Sequence, residues 1–200
     1  MSLDKTGTLT LNELTSDKPY LAQIDGTTIK KPSDNAVRFT SRDLMMGAYF
    51  ASEVGTEDPI EKAVRIAAEN EFPELKVRLH DTDHSILGFK VTSFIPFNPH
   101  AKYTEALVTN LESKEQVRYL KGAPNIITRI CGGHEEGDKA VVDLARKGLR
   151  ALGVAKSSVM GKEMVGFQLI GMISLLDPPR PDSAATIKAC RGFGVQVSST

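Results

Sequence analysis

Apolar and polar positions change period several times along this chain, and each change predicts an element. Tyr20 to Ile24 and Thr27 to Lys30 read as strands on either side of Asp25-Gly26, a favoured two-residue hairpin turn. Leu44, Met45, Ala48, Tyr49 and Ala51 give apolar faces to a helix capped by Ser41 and running to about Glu53. A second helix starts at Asp58 as N-cap, with Pro59 at its first position and Glu61 placed to complete a capping box. Ile60, Ala63, Val64 and Ala67 form its buried stripe, and Pro73 lies beyond its end. From Ile86 to Phe97 the residues are β-branched and aromatic, which predicts one long strand. Thr104 to Thr109 and Gln116 to Leu120 predict a hairpin. A short helix over Pro124 to Ile130 stops at Gly132-Gly133, and a helix over Lys139 to Lys147 stops at Gly148. Leu149 to Ala155 and Val165 to Leu176 read as strands, Asp182 to Arg191 as a helix with Gly192 as its stop, and Val195 to Val197 as a last strand. This order predicts an α+β fold, a largely antiparallel sheet flanked by helices. The last helix and strand have a βαβ rhythm instead, so the two ends are expected to belong to a different domain from the middle.

Composition narrows the class. Basic and acidic residues balance at 25 each, giving a formal net charge of zero, which argues against a strongly basic nucleic-acid binder. Hydrophobic residues make up 40% of the chain, enough for a packed core. The longest apolar run, Val165 to Leu176, is interrupted by Gln168 and Ser174 and falls short of the roughly 20 residues that span a bilayer. Met1 is followed at once by polar and charged residues, a start unlike a secretory leader. Cys131 and Cys190 lie far apart and read as free thiols.

Asp4-Lys5-Thr6-Gly7-Thr8 is the stretch with the clearest chemistry. An aspartate can attack a phosphoryl group and hold it as an acyl phosphate. Lys5 can neutralise charge on the transferred group, and Gly7 lets amides and the hydroxyls of Thr6 and Thr8 approach phosphate oxygens. Mg²⁺ would need Asp4 and a further carboxylate. The same five residues also suit an exposed turn.

Extended to Leu9-Thr10, this stretch resembles the phosphorylation motif of P-type cation-transporting ATPases. Phe94-Ile95-Pro96-Phe97-Asn98-Pro99, Lys121-Gly122-Ala123-Pro124, Gly148-Leu149-Arg150-Ala151-Leu152 and Asp177-Pro178-Pro179-Arg180-Pro181-Asp182 follow in the family's order. The resemblance covers essentially the whole chain and is greatest to the plasma-membrane proton-pump branch. It implies that residues 1–12 and 175–200 are pieces of a haloacid-dehalogenase-like phosphorylation domain and that residues 13–174 are the nucleotide-binding domain. It implies ATP and Mg²⁺ as cofactors, with Asp4 the phosphorylated residue, Lys5 and Thr6 beside it, and Asp4 and Thr6 at the metal. Phe97 would stack on adenine, Lys121 would lie at the bottom of the pocket beside Gly122, and Glu61 and Asp58 would sit near the adenine edge. Arg150 would contact the phosphates. Lys102 is the one basic residue in His100-Ala101-Lys102-Tyr103-Thr104 after the histidine, where the family has two adjacent ones. The expected partners are the remaining phosphorylation, actuator and transmembrane domains of a parent pump, with this portion soluble on the cytoplasmic side of the membrane.

Thr6 also separates two chemistries. Phosphatases of the dehalogenase-like superfamily carry an acid-base aspartate two residues after the nucleophile, and here that position is a threonine. A self-contained phosphatase or phosphomutase remains the alternative, and a nucleotide-binding module without chemistry is a third. The acidic motifs that complete the family's metal site are not found after Gly194-Val195-Gln196-Val197, so a fragment that does not phosphorylate Asp4 by itself is expected. His80 and His84 have i, i+4 spacing, but neither a third ligand nor a helix pattern supports a metal there. Phe97, Lys121 and Arg150 would each suit ordinary core or strand-end positions. Asp58 and Glu61 are already accounted for by a capping box. Asp177-Pro178-Pro179-Arg180 reads as a stiff connection between domains or as a surface turn.

Overall fold

The computed structural model describes residues 2–3, 8–11, 14–16, 20–21, 39–76, 85–160, 163–164 and 166–199. The expected Asp25-Gly26 turn and the His80/His84 pair lie outside the described residues. So do Asp4, Lys5 and Thr6.

Two helices open the central unit. Helix α1, Ser41–Phe50, is capped by Thr40 rather than by Ser41. The Thr40 hydroxyl accepts from the Asp43 N–H at 3.2 Å while the Asp43 carboxylate accepts from the Thr40 N–H at 2.8 Å. That reciprocal pair fixes the start one residue early, and frees Ser41 to donate to Glu71 at 2.7 Å. The helix ends at Phe50, short of Glu53, and buries Leu44, Met45, Ala48, Tyr49 and Phe50. Helix α2, Pro59–Glu71, starts as expected from Asp58 and Pro59, but Glu61 does not close a capping box. Its carboxylate turns inward, and the Asp58 N–H donates to Thr56 Oγ1 at 3.2 Å instead. A 3₁₀ turn, Pro73–Lys76, follows and buries Leu75.

The expected strand from Ile86 to Phe97 is two strands. Strand β4 is Ser85–Ile86 and β5 is Phe89–Ile95, joined through Leu87 at φ 53° and Gly88 at φ 80°. Leucine rarely adopts positive φ, so the sequence lacked the Asn-Gly or Asp-Gly cue of such a turn. Strands β6, Tyr103–Asn110, and β7, Gln116–Gly122, form the expected hairpin. Helix α3, Pro124–Ile130, has the expected bounds. Helix α4, Glu135–Arg146, begins four residues before Lys139, because His134 serves as N-cap and its Nδ1 accepts from the Gly137 N–H at 2.9 Å. Strand β8, Arg150–Met160, outruns its expected end, and β10, Gln168–Leu176, closes the unit.

With β2 (Thr15–Ser16), β3 (Tyr20–Leu21) and β9 (Glu163–Met164), these strands form one antiparallel sheet. Its order is β2-β10-β8-β7-β6-β5-β4, with β3 also on β10 and β9 on β8. Because successive side chains alternate between faces, β8 sends Leu152 and Val154 toward α1 and α2, and Ala155 toward α3 and α4. The larger core lies under α1 and α2, and the smaller one gathers Leu120, Ile127, Ala155, Leu169 and Met172.

The ends form a second, small sheet in which β1, Ser2–Leu3, pairs in parallel with β11, Ser198–Ser199. Helix α5, Ser183–Gly192, precedes β11. The last strand was expected at Val195 to Val197, with Gly192 as the helix stop. Gly194 is the stop instead, at φ 76°, and Val195 N–H is used to cap the Cys190 carbonyl at 3.0 Å, so pairing starts later. At Asp177-Pro178-Pro179-Arg180 the chain meets its own beginning, where Leu11 N–H donates to Pro178 O and Arg180 N–H to Leu9 O, both at 3.0 Å. Thr10 Oγ1 donates to Asp177 Oδ2 at 2.6 Å. Cys131 and Cys190 are free thiols. No described helix is long and apolar enough to cross a membrane.

Candidate functional site

The strand ends of β7 and β8 and the first turn of α2 surround a cleft of about 440 Å³. Asp58, Ile60 and Glu61 line it from the start of α2, Phe97, Pro99 and Lys102 from the β5–β6 connection, Lys121 and Gly122 from β7, Ala123 and Pro124 from the start of α3, and Arg150 through Leu152 from β8. All seven binding residues expected from the sequence, Asp58, Glu61, Phe97, Lys102, Lys121, Gly122 and Arg150, therefore face one space.

Lys121 forms the floor. It is 1% exposed, on the same sheet face as Tyr119, and its Nζ donates to Glu61 Oε1 at 2.5 Å. An unpaired buried ammonium would be costly, and Glu61 is the partner that makes the position tenable. Burial holds the Lys121 ammonium below its ordinary value, and the Glu61 carboxylate opposes that shift. The second oxygen of Glu61 accepts from the Glu53 N–H at 2.8 Å, so both oxygens are engaged. Asp58 Oδ1 caps α2 by accepting from Ile60 and Glu61 N–H at 2.8 and 3.1 Å. Its role here is to set the first turn that carries Glu61.

Gly122 sets the width of the cleft. A Cβ at this position would lie 2.3 Å from the Lys102 carbonyl oxygen. That carbonyl accepts from Ala123 N–H at 2.9 Å, so the loop before β6 is drawn against the end of β7. Asn98 shapes the same loop: its side chain accepts from the His100 and Ala101 N–H groups, and its carbonyl from the Lys102 N–H at 2.6 Å. Lys102 takes φ 63°, an uncommon region for a side chain with a Cβ.

Phe97 is 56% exposed and lines the cleft, so its ring is available as a wall. Among the described residues, neither Lys102 nor Arg150 forms an ion pair. The cleft thus offers an aromatic wall, a buried ammonium with its carboxylate, and two cations at the rim. It suits a flat heteroaromatic ring carrying an anionic tail. Among the described residues there is no cluster of three or more His, Cys, Asp or Glu that could hold a metal.

In the sequence Ile60 reads as core stripe and Pro99 as part of the Phe94–Pro99 motif, and neither carries a signal for the cleft. Glu53, whose side chain plays no part, was invisible because its backbone N–H is what matters.

The chain is similar over 97% of its length to plasma membrane ATPases, among them one from Dunaliella bioculata, 32% identical, and the probable one of Dictyostelium discoideum, 36% identical. Plasma membrane ATPase 2 of Saccharomyces cerevisiae is 31% identical over 204 aligned positions. Nearly the whole chain is thus similar to one segment of these ATPases. A solved zinc-transporting PIB-type ATPase in its E2.Pi state shares the fold at a TM-score of 0.53 and 19% identity, covering 99% of this chain and 24% of that one. No protein-family model matches the chain. The chain spans 16% of the Dunaliella relative and 19% of the yeast one.

Proposed function

We propose that this chain is the ATP-binding segment, with flanking pieces of the phosphorylation domain, of a pump that uses an aspartyl phosphate to move a cation, a proton by its relatives, across a membrane. The observation that carries the reading is the convergence of Phe97, Lys121, Glu61, Lys102 and Arg150 on one cleft. Phe97 stacks on the adenine, and Glu61 and Lys121 meet its polar edge from below. Lys102 and Arg150 neutralise the phosphates. Asp4 receives the γ-phosphoryl group, with Lys5 and Thr6 beside it. Asp4 and Thr6 would hold Mg²⁺, which would supply positive charge against that of the transferred group. Thr6 in place of an acid-base aspartate supports a long-lived phosphoenzyme over a phosphatase.

The division into units is part of the proposal. The nucleotide-binding unit begins near residue 13 and is better ended after Leu176 than at 174, because Leu175 is fully buried and pairs with both Arg150 and Ser16.

ATP titration followed by backbone amide NMR tests the binding step. Shifts should centre on Phe97, Lys121 and Glu61, with a dissociation constant around millimolar, equivalent to about −4 kcal/mol. Shifts elsewhere, or none at high millimolar ATP, would remove the site. In the parent pump, a hydroxylamine-sensitive label from labelled ATP that vanishes in Asp4→Asn tests the phosphoenzyme.

A further inference from the structure

A ring of contacts through four elements closes the floor of the cleft. Thr104 on β6 is 2% exposed and stands opposite Lys121 in the strand register. Its Oγ1 lies 2.5 Å from the Ala51 carbonyl oxygen and 3.2 Å from that of Lys121. A hydroxyl carries one proton, and the nearer oxygen takes it. Ala51 is the C-cap of α1, where the chain leaves the helix and its carbonyl needs a partner. Two residues on, the Glu53 N–H holds Glu61 Oε2, and Glu61 Oε1 holds Lys121. The path from Thr104 through α1 and α2 thus returns to the strand beside Thr104.

We propose that Thr104 is a positioning residue for the Glu61–Lys121 pair, acting through the Ala51–Glu53 turn and not by touching the ligand. Its effect on affinity rests on the nucleotide-site reading above; its effect on the pair does not. Thr104 is absent from the cleft lining, so it has no direct route to a bound molecule. Without the hydroxyl, the buried Ala51 carbonyl loses its donor and the turn relaxes. Glu53 N–H then no longer fixes one oxygen of Glu61, and the carboxylate is free to rotate. Besides Glu61, the charges acting on Lys121 are Asp58 and Arg65 from α2, and Lys102 and Arg150 share the cleft. Burial pulls the Lys121 ammonium toward neutrality and Glu61 is the largest opposing influence. A looser Glu61 therefore lets Lys121 release its proton at lower pH. A role confined to packing would lower stability and leave that midpoint unchanged.

The test compares the 200-residue chain as wild type, Thr104→Val and Thr104→Ser. The Lys121 ε-methylene signal is titrated by NMR without ligand, and ATP affinity is measured at neutral and alkaline pH. In Thr104→Val the Lys121 midpoint should fall by about half a pH unit or more, the size of one net hydrogen bond. Thr104→Ser, which keeps the hydroxyl, should follow the wild type. ATP binding by Thr104→Val should weaken about two- to tenfold at alkaline pH and less at neutral pH. Equal midpoints in all three proteins overturn the inference whether or not ATP binds. A lowered midpoint in a protein that does not bind ATP supports Thr104 as a positioning residue and refutes the nucleotide reading instead. If Thr104→Val does not fold, Thr104→Ala removes the hydroxyl without a new branch and carries the same readings.

Discussion

Gly122→Ala is a one-carbon change that should open the cleft. The added Cβ would sit 2.3 Å from the Lys102 carbonyl oxygen and 2.6 Å from Tyr103 Cα. An ordinary contact begins at 3.4 Å, so the Lys102 backbone must retreat by about 1.1 Å. The neighbours are two backbone atoms and the Tyr103 Cβ fixed to one of them, none of which can rotate away as a flexible side chain could. The retreat strains the 2.9 Å bond from Ala123 N–H to the Lys102 carbonyl and carries Phe97, Pro99 and Lys102 away from Lys121. Overpacking of this kind costs about 1–3 kcal/mol, and a shift of the aromatic wall weakens stacking on any ring held over Lys121. Urea unfolding gives the first quantity, and ATP titration gives the second. Gly192→Ala is the control, because nothing lies within 4 Å of its added Cβ and the residue is still helical, the last of α5. It should be neutral or slightly stabilising and should leave ATP binding alone. If Gly122→Ala unfolds and binds like the wild type, the close approach does not set the cleft, and the reasoning fails.

Lys121→Met should destabilise by about 3–5 kcal/mol because Glu61 is left buried and unpaired, whereas Glu61→Leu with Lys121→Met should recover most of that loss without restoring ATP binding; denaturant melts and titration check both. Phe97→Ala should weaken ATP binding more than Lys102→Ala, given that base–aromatic stacking is worth about 1–3 kcal/mol. Burial pushes the Tyr119 phenol up from 10.0 to about 12, so across that window the folded chain keeps a proton that the unfolded chain has released. The stability contribution of Tyr119 is complete below 10 and falls as pH rises through the window, and Tyr119→Phe should flatten the fall. His134→Ala should lose about 1 kcal/mol of stability by removing the α4 cap, while His134→Asn should retain most of it.

Much of the sheet was legible because β6, β7 and β8 combine β-branched residues with clear turn chemistry. Asp58-Pro59 gave the start of α2 for the same local reason. Missed boundaries were those set by unusual residues: a leucine at positive φ, a histidine cap, and a helix stop at Gly194 beyond the nearer Gly192. The cleft residues were legible only through family motifs. Periodicity treats Phe97 and Lys121 as strand-end residues, and nothing local says that an exposed ring and a buried ammonium face the same space. Glu61 shows the limit most clearly. Its position predicts a helix cap, but a buried lysine 60 residues away outcompetes the backbone for its carboxylate. The contacts of Thr104 and Glu53 depend on tertiary placement and leave no trace in spacing.

The crossing of Leu9–Leu11 with Pro178–Arg180 has a mechanical consequence. A single thread between two bodies permits rotation about many axes. Two chain segments side by side, pinned by a backbone bond on each side of the isolated Thr10–Pro179 bridge, resist sliding and in-plane shear. Proline at 178 and at 179 removes two amide donors and fixes two backbone angles on one of those segments. What remains soft is bending across the ribbon. Bending at this crossing is therefore easiest about the one axis that lies across the ribbon.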